Sequence, residues 1–180
     1  LLSCFINAFG FYFLNYFFLQ RKLMKIIDFI DEEAVIDDLQ STDKESVIRE
    51  MVNVLKDLNK INESELDDIM SALIKREKVG STGIGKGVAV PHTKHKSITK
   101  ITGAFARSLK GVEFDALDGE PVYLFFLLLS PNDSTDVHLA ALEKISSVIR
   151  NSDFRNFVRN ASDKSEMIDI LKEVDEAKSE

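Results

Sequence analysis

Cysteine and histidine are scarce in this chain of 180 residues, which has one cysteine, Cys4, and three histidines. A single cysteine can form no disulfide within the chain and no cysteine-based metal site. The histidines are scattered along the sequence, so they predict no metal centre either. We expect no metal and no cofactor, and any chemistry must come from individual side chains.

Positive charge is also in deficit, since 23 Lys and Arg stand against 30 Asp and Glu and the formal net charge is −7. The field of such a chain repels nucleic-acid phosphates and anionic membrane surfaces. We therefore expect no nucleic-acid partner. The 44% of hydrophobic and 29% of charged residues are typical of one folded globular domain.

Charge is absent altogether from residues 1–19, which form most of an apolar N-terminal segment, residues 1–24. As a helix, residues 1–19 would rise about 28 Å, close to a bilayer core of roughly 30 Å, and the basic residues that follow would keep the rest in the cytoplasm. The interpretation that we favour is translated upstream DNA, because AT-rich codons specify these residue types and an ordinary sequence opens at Met24. A membrane anchor is the alternative.

Alternating helix and strand patterns from Lys25 onward indicate one α/β domain over residues 25–180. Apolar residues recur at helical spacing over 47–58, behind a capping box of Thr42 and Glu45, and again over 66–74. Strands are predicted at 88–90, 101–109 and 122–129, the last buried on both faces. Helices are predicted to begin near Ser134, Ser152 and Asp163, and the core residues predicted for the last two are Phe154, Phe157, Ile168 and Leu171.

The glycine-rich segment 80–92, GSTGIGKGVAVPH, first suggests a nucleotide-binding P-loop. Gly80, Gly85 and Lys86 match the opening of that motif. Gly87, however, stands where a Ser or Thr must reach the magnesium ion, and the residues that follow predict a strand where a helix should begin. A nucleotide site is therefore disfavoured.

His92 ends this segment, directly after Pro91. Proline fixes its own φ and pushes the preceding residue into an extended conformation, so the imidazole leaves the strand end in a restricted direction. Glycines permit close backbone approach, and hydroxyl and amide donors suit an anion. The segment therefore predicts a phosphate pocket beside His92, formed by Ser81, Thr82, Gly83 and Gly85.

Taken alone, the other candidates have plainer interpretations. His138 lies on the apolar side of a predicted helix, where a packed histidine is expected, and Arg76 can be a solvated cation at a helix C-terminus. His95, between two lysines, is typical of an exposed loop. The acidic residues within 31–38 are typical of a solvated edge.

A longer pattern joins these pieces: Glu77, six residues, Ile84-Gly85, two residues, then 88–92, VAVPH. It resembles the phosphohistidine signature of the mannitol/fructose-type enzyme IIA domains of the bacterial sugar phosphotransferase system. The order of the other segments over residues 25–175 is also similar, with the fructose and nitrogen-regulatory branch most alike. The resemblance implies a single α/β domain with a mixed central β-sheet flanked by helices.

The resemblance also implies a function. His92 would accept a phosphoryl group on Nε2 from the phosphohistidine of an HPr-type carrier, and a IIB domain or a regulatory target protein would be the next partner. His138 and Arg76 would line the same pocket, with no cofactor, and the domain would be cytoplasmic and meet a membrane only through a transporter complex. Thr93 stands where the family has a smaller residue, which puts the choice of partner in doubt.

Three classes of function remain open at this point. The chain can feed a sugar transporter, act as a nitrogen-type regulator whose phosphorylation decides its partners, or serve as a scaffold of the same fold without catalysis. The intact Pro91-His92 pair disfavours the scaffold. Neutral imidazole can attack phosphorus near pH 7 without a dedicated base, so phosphotransfer needs nothing more than this histidine and donors for the anion.

A chain that starts at Met24 should fold and take up phosphate as well as the full chain, because the resemblance begins only after that residue. Circular dichroism and phosphate incorporation, measured on both forms, check this. Loss of folding on removal of residues 1–23 would favour a native role for the apolar segment.

Overall fold

A mixed six-stranded sheet forms the centre of the protein, as the family resemblance implied. The computed structural model describes residues 24–176. The strands are β1 Ile30–Ile36, β2 Gly83–Gly85, β3 Val88–Ala89, β4 His92–His95, β5 Thr102–Val112 and β6 Val122–Pro131. They run in the order β1-β5-β6-β3-β2, and β4 pairs with β6 beyond the end of β3.

Parallel and antiparallel pairs alternate across the sheet. β1 runs parallel to β5, β5 antiparallel to β6, and β6 parallel to both β3 and β4. The short β2 returns antiparallel to β3. The described chain has five α-helices: α1 Lys44–Asp57, α2 Leu66–Val79, α3 Thr135–Arg150, α4 Ser152–Asn160 and α5 Lys164–Glu176.

Strand β6 divides the core into two halves because successive side chains point to opposite faces. Phe125 and Leu127 pack with α1 and α2, whereas Phe126 and Leu128 pack with α3, α4 and α5. All four side chains are fully buried, and burial of each contributes about 1.5 to 3 kcal/mol. The sheet is thus covered on both faces, as the unbroken apolar run of this strand predicted.

Strand β1 was not predicted, because acidic residues interrupt its apolar pattern. It lies at the edge of the sheet, where Ile30, Ala34 and Val35 are buried and the acidic side chains face outward. Asp31 pairs with Lys60, and Glu32 with Lys172 at 2.7 Å. The interpretation of these acids as a solvated edge is therefore correct, although the edge is a strand.

Two local predictions were wrong for geometric reasons. Helix α1 is capped by Asp43, whose carboxylate accepts from the Ser46 amide at 3.0 Å, and not by Thr42. Helix α4 directs Phe154 and Val158, four residues apart, toward the sheet, so Phe157 remains 62% exposed.

The apolar segment 1–24 lies outside the described residues except for Met24, so its interpretation stays a prediction. Within residues 24–176, the helices are either too short or too polar to span a bilayer.

Gly103 in β5 should tolerate no side chain, because an added Cβ would lie 2.4 Å from the Leu127 carbonyl oxygen. We expect Gly103→Ala to lower the free energy of unfolding by about 3 kcal/mol, the cost of forcing neighbouring strands apart. Gly80→Ala is the matched control, since Gly80 has extended backbone and open space around it. Urea unfolding followed by circular dichroism measures both, and equal midpoints for the two variants would contradict the prediction.

Candidate functional site

An interruption in one strand edge positions His92. Strands β3 and β4 lie end to end along β6, where Ala89 pairs with Phe125 and His92 with Leu128. Pro91 stands between them and has no N–H to donate, although its carbonyl still accepts from the Leu128 amide at 2.9 Å. The strand was predicted to end at Pro91-His92; instead it restarts at His92.

The His92 ring is held in one tautomer. Its Nδ1 lies 2.7 Å from the carbonyl oxygen of Val90, and because a carbonyl can only accept, Nδ1 must carry the proton. The lone pair of the neutral ring is therefore on Nε2. The Arg76 Nε–H donates to this Nε2 at 3.3 Å.

Arg76 reaches His92 from the last turn of α2, which packs beside β4. Its Nη1 also donates to the Gly80 carbonyl at 3.0 Å, so the guanidinium is held at two points. The side chain is half-buried. Arg76 is therefore a positioned cation at the His92 ring and not a freely solvated one.

His138 completes a group of three. It lies in the first turn of α3, is buried, and its ring centroid is 5.6 Å from that of His92. Its Nδ1 lies 2.8 Å from the hydroxyl oxygen of Ser130. The structure thus brings together the three residues that the family resemblance singled out.

Both histidines are held in the neutral form near pH 7. Loss of solvation by burial lowers the pKa of His92, and the Arg76 charge lowers it further, while the Val90 hydrogen bond and Glu77 act in the opposite direction. Burial, with smaller effects of His92 and Lys94, lowers the pKa of His138 to about 4. A neutral His92 with its lone pair on Nε2, where it accepts from Arg76, has the form that a nucleophile requires, and a neutral His138 has one N–H to donate.

Ser81 and Thr82, two of the residues predicted to form a phosphate pocket, make hydrogen bonds within the protein. Thr82 donates to the Glu77 carboxylate through its amide at 3.0 Å and through its hydroxyl at 2.6 Å. The Ser81 hydroxyl donates to the Phe114 carbonyl at 2.9 Å and accepts from the Gly83 amide at 3.1 Å. Contact of Ser81, Thr82, Gly83 or Gly85 with phosphate stays a prediction.

These contacts form a brace that ends at His92. Glu77 is buried and holds Thr82, whose carbonyl accepts from the Val90 amide at 3.0 Å, and the Val90 carbonyl orients the His92 ring. Lys44 pairs with Glu77 at 3.2 Å and so compensates its buried charge. Glu77, the first residue of the phosphohistidine-like pattern, therefore helps to orient His92, the last residue of that pattern.

Two residues near the site were missed from the sequence. Lys94 lies on the same face of β4 as His92, and its Nζ donates to the Thr135 hydroxyl at 2.6 Å, at the start of α3. Because residues two apart in a strand share a face, the spacing of Lys94 from His92 was the sequence signal that could have found it. Ser130 is fully buried at the end of β6, and a polar residue that closes an apolar run was its signal.

A separate group of ligand-type side chains lies at the other end of α2. Donor atoms of Glu65, Asp68 and His95 lie within 4.8 Å of one another, a spacing that a metal ion can bridge. His95 is half-buried in β4, not in an exposed loop as predicted, and its Nδ1 lies 2.7 Å from the Ser97 hydroxyl oxygen. The two acids also lie where a helix N-terminus favours negative charge, which accounts for their position without an ion.

The lowered pKa of His138 predicts a loss of stability in acid. The unfolded ring titrates near 6.5 and the folded ring at about 4, so the unfolded chain binds more protons between these values. The stability contribution is complete above pH 6.5 and is lost as the pH falls toward 4. Relative to His138→Gln, the wild type should lose about 1 to 3 kcal/mol over this window, measured by urea unfolding at several pH values. Parallel losses in both proteins would contradict the prediction.

Comparison with known proteins identifies the family. The family model described as phosphoenolpyruvate-dependent sugar phosphotransferase system, EIIA 2, matches residues 28–174. A nitrogen regulatory protein of Bradyrhizobium diazoefficiens is 34% identical over 148 residues, which are 82% of this chain and 95% of that protein. The fructose-specific EIIABC component of Bacillus subtilis is 34% identical over 84% of this chain, but this covers 24% of that protein.

Solved structures agree with this assignment. The nitrogen regulatory protein IIA-Ntr of Neisseria meningitidis has a TM-score of 0.73 and 34% identity, covering 81% of this chain and 98% of that one. The Escherichia coli mannitol enzyme IIA in complex with phosphorylated IIB has a TM-score of 0.66 and 18% identity, covering 79% of this chain and 96% of that one, which shows the same fold. The chain therefore belongs to the EIIA 2 family of the phosphoenolpyruvate-dependent sugar phosphotransferase system.

Proposed function

We propose that this protein is a phosphocarrier in which Nε2 of His92 accepts a phosphoryl group from the phosphohistidine of an HPr-type protein. The observation that carries the proposal is the 2.7 Å contact between Nδ1 of His92 and the Val90 carbonyl, which leaves the lone pair on Nε2. The phosphoryl group then passes to a IIB domain or stays as a signal to a regulatory target. In this sense the protein is a protein-histidine phosphotransferase.

The transfer step needs no external base. The Nε2 lone pair of His92 forms a bond to phosphorus while the donor's N–P bond breaks, and that electron pair remains on the donor nitrogen. Nδ1 keeps its proton throughout, and its hydrogen bond to Val90 becomes stronger as the ring gains positive charge. No proton has to move in this step.

The negative charge of the transferred group would be met by groups that already surround His92. Arg76, freed from Nε2 by the new bond, can donate to a phosphoryl oxygen, and His138 can donate through its ring N–H. The N-terminus of α3, which carries His138, adds a favourable dipole. Only Arg76 among these is a full charge, which suits a group that must leave again, because tight phosphate binding would oppose onward transfer.

Regulation is the second half of the proposal and is favoured over sugar transport. Support comes from the nitrogen regulatory relatives, which match this chain at 34% identity along 95% and 98% of their own lengths. The fructose-specific relatives keep the transport alternative open, and Thr93 bears on which partner fits. Transfer from the phosphorylated protein to purified IIB domains, compared with phosphorylation-dependent capture of regulatory proteins, separates the two.

The two histidines should differ in role. We expect His92→Ala to abolish phosphate incorporation, because no other group at that position offers a suitable lone pair. His138→Ala should slow transfer by roughly a hundredfold to a thousandfold with the label still on His92, and His138→Gln should recover part of the rate as a donor. Mass spectrometry at neutral or alkaline pH, where phosphohistidine survives, follows the label with an HPr-type donor.

Magnesium and ATP without a donor protein serve as the control and should leave the mass unchanged. Label on His138, or turnover by His92→Ala, would reverse the assignment of the two histidines. An unaffected His138→Ala would make His138 a packing residue. Labelling by ATP alone would revive the nucleotide-binding interpretation of the glycine-rich segment.

A further inference from the structure

A buried hydroxyl lies directly behind the second histidine. Ser130, near the end of β6, has no exposed surface, and its Oγ is 2.8 Å from Nδ1 of His138. Its backbone pairs with Lys94 of β4, so both strands that border the site hold it in place. Neither ring nitrogen of His92 contacts this hydroxyl, because Val90 and Arg76 take them.

The direction of this hydrogen bond follows from what the hydroxyl can reach. Within residues 24–176, Nδ1 of His138 is the hydrogen-bond partner that the Ser130 hydroxyl has. If the ring donated to Ser130, the buried O–H would be left without an acceptor, which costs about 1 to 3 kcal/mol. If the hydroxyl donates to the ring instead, only lone pairs of its oxygen remain unused, and this costs less than an unsatisfied O–H. The hydroxyl therefore donates, and Nδ1 of His138 accepts.

We propose that Ser130 is a positioning residue that holds neutral His138 with its proton on Nε2, the form that can donate to a phosphoryl oxygen on His92. This inference rests on the proposed function of His92. In the other tautomer, Nε2 would carry a lone pair and repel the oxygen that it must stabilise. Ser130 thus decides whether Nε2 of His138 attracts or repels a phosphoryl oxygen, although it does not contact the transferred group itself.

In both histidines the hydrogen bond at Nδ1 fixes the tautomer, but the proton lies on Nδ1 in His92 and on Nε2 in His138. A carbonyl behind His92 forces the proton onto Nδ1 and frees Nε2 as a nucleophile. The Ser130 hydroxyl donates to Nδ1 of His138, so the ring carries its N–H on Nε2 and can donate from there. The group behind each ring thereby sets its role. The Val90 carbonyl prepares His92 to attack phosphorus, and the Ser130 hydroxyl prepares His138 to stabilise the transferred group.

Ser130→Ala tests the assignment. Transfer from an HPr-type donor should slow by about five- to tenfold in kcat, the weight of one neutral hydrogen bond, with KM for the donor unchanged. Ser130→Thr keeps the hydroxyl and should restore most of the rate, whereas Ser130→Cys, a weak donor of similar size, should not. Ser108→Ala is the matched control, since Ser108 is also buried but lies in β5 away from the histidines.

Nitrogen-15 NMR of the imidazole rings supplies a readout that a purely structural role would not move. Wild-type His138 should show a protonated Nε2 and a bare Nδ1, and Ser130→Ala should show a mixture of the two tautomers. A protonated Nδ1 on wild-type His138, or wild-type kcat in Ser130→Ala, would overturn the assignment. If the wild type takes up no phosphoryl group at all, the proposed function fails, while the tautomer in the spectrum still decides the role of Ser130.

Discussion

The hydrogen bond from Nδ1 of His92 to the Val90 carbonyl is the interaction on which the site depends. It spans only two residues, yet it sets the tautomer and the direction of the ring and leaves the lone pair on Nε2. Without it the imidazole could present an N–H to an incoming phosphoryl group as readily as a lone pair. A backbone acceptor is well suited to this task because a carbonyl never donates.

The surrounding fold keeps that carbonyl in place. Pro91 interrupts the strand edge so that Val90 and His92 lie on either side of a residue without an N–H, and β6 pairs with the chain before and after it. Glu77 and Thr82 hold the Val90 amide from behind. Thr82, which the sequence predicted to bind phosphate, thus stabilises the backbone that orients the His92 ring.

The second property of the site is a modest positive charge beside the His92 ring. Burial lowers the pKa of both histidines, so that near neutral pH Arg76 is the charge in direct contact with the His92 ring. A cage of several cations would bind phosphate tightly and retain it. In the proposed function, one guanidinium, one neutral imidazole and a helix terminus would stabilise the anion enough for a group that must arrive and leave by reversible transfer.

The sequence by itself determined the single α/β domain, the two-sided burial of β6 and the pattern ending in Pro91-His92, because these depend on local periodicity and on proline geometry. The mixed sheet was implied only by the family resemblance. It did not determine the acidic edge strand β1, which becomes a strand only by pairing with β5. The contact between Ser130 and His138 and the hydrogen bonds of Thr82 to Glu77 also required the tertiary structure. Which acceptor a donor meets depends on neighbours distant in sequence, and no local pattern encodes that meeting.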